Sequence, residues 1–207
     1  MTAKTKNPQK AGFGLRFLAP LAVSIALAVV LGPAPAQAKY AFLVMDADSG
    51  RVIHAINADT RNYPASLTKM MTMYLVFDAL DSKLWALHTR LRISARAARQ
   101  PSSKLGLRRG QRITVEEAIL ALVTKSANDV ATAIAENLSG SERAFALKMT
   151  AAARKLGMNR TTFRNASGLP HRGQLSTARD MGILARALIR NFPDNYRYFS
   201  TRQFDFG

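Results

Sequence analysis

The sequence predicts an α/β protein in which several helices cover a small antiparallel sheet. Two observations carry that reading. Two short β-favouring runs flank an Asp/Ser/Gly turn early in the chain, and after them the apolar spacing becomes helical and recurs between turn residues. Ala41 to Met45 is the first run, Asp46, Asp48, Ser49 and Gly50 form the turn, and Val52, Ile53 and Ile56 mark the second, so a β-hairpin is expected. Met70, Met73, Tyr74 and Phe77 then recur at i, i+3, i+4, i+7, with Pro64 suited to the start of a helix, where its missing N–H costs little.

Residues Leu91 to Arg112 show little periodicity, and "RQPSSKLGLRRGQ" reads as a loop. Thr114-Val-Glu-Glu117 fits a capping box ahead of Ile119, Leu120 and Val123. The pattern breaks at "TKSAND" and resumes as Val130, Ile134 and Leu138 until Ser139-Gly140. A further helix is expected from about Ser141 to Leu156, ended by Gly157, and another from Thr177, its cap, to Pro193. "NASGLPHRG" between them is a turn-rich loop, the end of the chain is irregular, and no third strand is evident.

The first 38 residues read as a targeting segment. Lys4, Lys6, Lys10 and Arg16 precede an apolar run from Phe17 to Leu31, and "GPAPAQAKY" offers small residues at Ala36 and Ala38. Cleavage after Ala38 is expected, leaving Lys39 to Gly207 as the exported chain, with a retained membrane anchor as the competing reading. No other run is long enough to cross a bilayer. Without the leader, 26 basic residues still face 13 acidic ones. In an exported protein this argues for contact with anionic envelope polymers, membrane association remaining open, and against nucleic acid as a partner. Cysteine is absent, which excludes disulfides and thiolate chemistry.

The chemistry centres on "YPASLTKMMTMYLVFDAL". Ser66 and Lys69, three apart on the opening turn of a helix, share a face. A serine hydroxyl attacks only when something takes its proton, and a lysine does so only when burial or nearby positive charge lowers its pKa. The competing reading is a capping serine beside a snorkelling surface lysine. Ser126 and Asn128 in "KSANDVATAIAE" lie in the break between two helices, where a hydroxyl relays protons and an amide holds a substrate carbonyl or orients the lysine, or where either simply caps a helix. The three histidines sit in no G-x-S-x-G or H-E-x-x-H setting, so neither a histidine triad, a metal nor a cofactor is expected.

With these residues in place the chain resembles the serine D-alanyl-D-alanine carboxypeptidases, the low-molecular-mass penicillin-binding proteins. The likeness runs through "MDADSGRVIHAINADTRNYPASLTKMMTMYLVFDAL", "SSKLGLRRGQRITVEEAILALVTKSANDVATAIAE" and "FALKMTAAARKLGMNRTTFRNASGLPHRGQLSTARDMGILARALI". The resemblance implies a β-lactamase/transpeptidase-like fold, Ser66 as acylated nucleophile, Lys69 as general base, Ser126 as proton relay and Asn128 as substrate-binding amide. It implies peptidoglycan stem peptides ending in D-Ala-D-Ala as substrates and β-lactams as covalent inhibitors. A D,D-endopeptidase or β-lactamase would use the same residues, and a non-catalytic envelope-binding protein would keep the scaffold. The family's Lys-Thr-Gly strand is missing, Lys155 being the last lysine, so the chain reads as the first part of a catalytic domain whose remaining sheet strands lie beyond it.

Overall fold

A computed structural model describes residues 1–2 and 40–206. The expected leader and its cleavage position fall almost wholly outside the described residues. The chain divides after Ala38, and the fold is that of the unit from Lys39 to Gly207.

The expected hairpin is present. Strands β1 (Phe42–Met45) and β2 (Val52–Ile56) pair antiparallel with Phe42 opposite Ile56 and a bulge between Val44 and Met45. Asp46 closes the turn by accepting from the Ser49 N–H at 2.7 Å, while Gly50 takes φ +76°, which glycine adopts without strain. That turn is tied to a distant helix, α6 (Ala178–Asn191): Arg186 donates to the carbonyls of Ala47 and Asp48 at 3.0 and 2.7 Å. Gly182 lets α6 lie on β1, because a Cβ there would be 2.6 Å from Leu43 Cδ2.

After a 3₁₀ turn at Ala65–Leu67, helix α1 spans Thr68–Asp81. The expected stripe of Met70, Met73, Tyr74 and Phe77 describes only part of what it buries. Met71, Thr72, Leu75 and Val76 are buried as well, and Met70 and Tyr74 are half-buried. A helix enclosed nearly all round shows little amphipathic contrast, and α1 is enclosed because the other long helices pack around it. These are α3 (Val115–Lys125), α4 (Asn128–Ser139), α5 (Glu142–Lys155) and α6. One continuous apolar core, with Phe77, Ile119, Ile134, Phe145 and Leu184 in it, joins them.

The region read as a loop before Thr114 contains more structure than expected. Strands β3 (Arg90–Arg92) and β4 (Arg112–Thr114) pair antiparallel, and a short helix α2 (Ala95–Ala98) lies between them with Ser94 as its cap. Each strand has three residues and one buried side chain, Leu91 or Ile113, too few to show a period of two. The capping box holds: Glu117 N–H donates to Thr114 Oγ1 at 3.2 Å and Thr114 N–H to Glu117 Oε2 at 2.7 Å. Ser141 and Thr177 cap α5 and α6 as expected. Pro193 does not merely end α6. It opens a further short helix, α7 (Pro193–Tyr196), which runs into a 3₁₀ turn at Arg197–Ser200, so the expected irregular end is partly helical.

Candidate active site

Lys69 is the organising residue. It is the second residue of α1 and only 5% exposed, which rules out the snorkelling alternative. Its Nζ donates to Asn128 Oδ1 at 2.8 Å and to the carbonyl of Ser167 at 2.6 Å. Burial among apolar side chains disfavours the ammonium and lowers the Lys69 pKa to about 8. Ser66 sits on the 3₁₀ turn immediately before α1 and is exposed. Lys69 follows it by three positions, across the junction of that turn with α1, a spacing that sets the two on one side of the chain. Neither caps a helix through its side chain: the cap positions are Pro64 and Leu67. Ala65, just before the nucleophile candidate, takes φ +46°, a left-handed conformation that costs energy for any residue with a Cβ.

The break between α3 and α4 supplies the second wall. Ser126 ends α3 in the left-handed region at φ 52°, ψ 41°, half-buried, and the cap of α4 is Ala127, which has no hydroxyl or amide to offer. Capping therefore does not account for Asn128. Its amide is divided between Lys69, bonded through Oδ1, and the carbonyl of Pro101, to which Nδ2 donates at 3.0 Å. Among the described residues neither Ser66 nor Ser126 makes a side-chain hydrogen bond. The next residue, fully buried Asp129, holds the loop that faces this break: its carboxylate accepts from Leu105, Gly106 and Leu107 N–H at 3.0, 2.9 and 3.1 Å.

The third wall was read from sequence only as a turn. In "NASG" the backbone does the work: Ser167 O receives the lysine, and Gly168, at φ +91°, presses against the residue before Ser66. A Cβ on Gly168 would overlap the Ala65 carbonyl oxygen and lie 3.1 Å from Ser66 N. Gly168→Ala is therefore expected to destabilise the fold by about 3 kcal/mol and to displace the Ala65–Ser66 peptide. A fall in thermal midpoint of less than a few degrees would show that the contact yields instead. The Asn and Gly of a tight turn were legible; that its carbonyl serves a side chain nearly one hundred positions earlier was not.

This arrangement buries an amine three positions after an exposed hydroxyl, with two of its N–H directions taken by fixed acceptors. The comparisons show the family. The family model described as D-alanyl-D-alanine carboxypeptidase, peptidase family S11, matches residues 30–207. D-alanyl-D-alanine carboxypeptidase DacF of Bacillus subtilis is 39% identical over 154 residues, 74% of this chain and 39% of that protein. DacC of Escherichia coli is 36% identical over 179 residues, covering 84% and 45% respectively. Among solved structures, penicillin binding protein 5 from Haemophilus influenzae superposes with a TM-score of 0.78 at 34% identity, over 85% of this chain and 52% of that one. The chain thus spans about half the length of these relatives or less, and over the superposed span its fold is that of the solved structure. By its family model, its sequence and its architecture, this chain is a member of the D-alanyl-D-alanine carboxypeptidase family.

Proposed function

We propose that the chain carries the acylating centre of a serine D-alanyl-D-alanine carboxypeptidase that works outside the cytoplasm on peptidoglycan stem peptides. The observation that carries the reading is the Lys69 amine, buried and bonded to Asn128 Oδ1 and Ser167 O. A neutral lysine has two N–H donors and one lone pair. With both donors committed to fixed acceptors, the lone pair is the remaining site, and Ser66 is the adjacent hydroxyl.

The reaction follows in balanced steps. Ser66 Oγ bonds to the carbonyl carbon of the penultimate D-Ala while its proton passes to Lys69. The C–N bond to the terminal D-Ala breaks, and the departing amine takes a proton relayed from Lys69 through Ser126. Water then hydrolyses the ester, with Lys69 again accepting a proton. Asn128 orients the lysine and offers its amide edge to the substrate, and the Ser66 backbone N–H contributes to the oxyanion site. A β-lactam enters the same path and stops at the ester. No metal or cofactor takes part in this scheme. The basic-then-apolar opening of the chain and its net positive charge support export to a compartment rich in anionic polymer.

Incubation with benzylpenicillin followed by peptide mass spectrometry tests the reading. An adduct on the peptide containing Ser66, absent from Ser66→Ala, is expected; a folded protein that gains none would favour the non-catalytic alternative. Free D-Ala from a stem pentapeptide separates a carboxypeptidase from an endopeptidase, which would open only cross-linked dimers.

A further inference from the structure

We infer that Asn165 is a positioning residue for the acylation step, because its side-chain oxygen fixes one end of the peptide group whose other end receives Lys69. The inference rests on the reading of Ser66 and Lys69 as nucleophile and base.

A lysine amine at the end of a four-carbon stem has no direction of its own; its acceptors give it one. Asn128 is a side chain on a long helix and is tied in turn to Pro101. Ser167 O belongs to a turn outside the helices and strands, with no ladder to hold it. A peptide group is planar, so holding its N–H holds its C=O. The peptide joining Ser167 to Gly168 is gripped in this way: its carbonyl accepts from Lys69 Nζ at 2.6 Å, and its N–H donates to Asn165 Oδ1 at 2.7 Å.

The surroundings of Asn165 hold it in turn. Its Nδ2 donates to Leu169 O at 2.9 Å, and Gln174, 2% exposed, accepts from the Arg164 and Asn165 N–H groups at 2.9 and 3.0 Å. Gln174 Nε2 also reaches Asn165 Oδ1 at 3.3 Å. The preceding peptide is held at both ends too, Ala166 O by Thr72 Oγ1 at 2.7 Å and Ser167 N–H by the same Asn165 Oδ1 at 3.2 Å, and one peptide further back the Ala166 N–H donates to Glu142 Oε1 at 3.3 Å. Should the Asn165 oxygen be lost, the Ser167–Gly168 plane is free to turn, bringing an N–H where Lys69 needs an acceptor. Gly168 belongs to the same peptide, so that turn would also disturb the backbone beneath Ser66.

The test is the rate of Ser66 acylation by benzylpenicillin at about pH 9.5, well above the Lys69 value, scaled to the folded fraction. Saturating inhibitor separates the acylation rate constant from noncovalent affinity. Asn165→Ala is expected to lower that rate constant about 10- to 100-fold with affinity changed by less than about threefold. Asn165→Asp keeps an acceptor for the Gly168 N–H but loses the donor to Leu169 O, so it is expected to slow the step clearly less than Asn165→Ala, staying within about tenfold of the unmodified protein. Acylation of folded Asn165→Ala at the unmodified rate, or Asn165→Asp as slow as a folded Asn165→Ala, would overturn the assignment. If the alanine variant does not fold, Gln174→Ala takes its place, with slowing of the same step expected and an unchanged rate counting against the role. An unmodified protein that is never acylated fails the reading of Ser66 and Lys69 itself, a separate outcome.

Discussion

Lys69→Met is expected to slow acylation of Ser66 by about 10³-fold while leaving the chain folded. Methionine matches the stem and removes the amine, so on the proposed reading Ser66 keeps its place and loses its base. Lys69→Arg should be equally poor, since a guanidinium does not give up its proton. The pH dependence has a definite sign. With a pKa of about 8, the lysine is protonated in most molecules at neutral pH, and the reactive neutral fraction grows as pH rises. Acylation should therefore climb roughly tenfold per pH unit below about 7 and level off above 8. Stability moves in the same direction. The unfolded chain binds this proton up to its ordinary value of 10.5, the folded one only up to about 8. Folding is thus penalised by about 3 kcal/mol below the lower value and progressively relieved between the two. Lys69→Met should abolish that alkaline gain in a denaturation series across pH 7 to 11, and a gain that persists would place its origin elsewhere.

Asp129→Ala is expected to cost about 3–5 kcal/mol, enough to unfold a domain of ordinary stability or to release the loop from 101 to 107. The carboxylate is fully buried and is the shared acceptor for three consecutive backbone N–H groups. Alanine leaves all three without this acceptor, the buried Leu107 N–H among them. Asp129→Asn should lose about half as much, because one side-chain oxygen remains while the new amide points donors at donors. Chemical denaturation reads both. The loop also carries Ser103, whose carbonyl accepts the Asn128 N–H at 2.7 Å, so acylation should fall together with stability. A variant that keeps its denaturation midpoint would show the loop to be held by something other than Asp129.

The parts of this molecule that announced themselves were those governed by neighbours in sequence. The hairpin turn, the Thr114–Glu117 box and the caps at Ser141 and Thr177 each depend on residues within four positions. Ser66 and Lys69 were legible for the same reason. The pairing of Lys69 with Asn128 spans 59 positions, and the residues offered it only as one of the uses an amide in the helix break could have. The short strands β3 and β4 were lost because one buried residue per strand carries no period. The role of the "NASG" turn was invisible for a different reason: its contribution is a carbonyl and an absent Cβ, and neither is encoded by a reactive residue type. Side chains advertise their chemistry in sequence, whereas backbone groups acquire theirs only from the fold.

Ser126 illustrates a trade made at a single position. Its backbone lies at φ 52°, ψ 41°, where glycine would rest without strain and every other residue gives up about 1 kcal/mol. By conformation alone, glycine would be the better occupant of this helix end. The chain has a hydroxyl there instead, so the oxygen proposed as the proton relay stands at a position where its own backbone works against the fold.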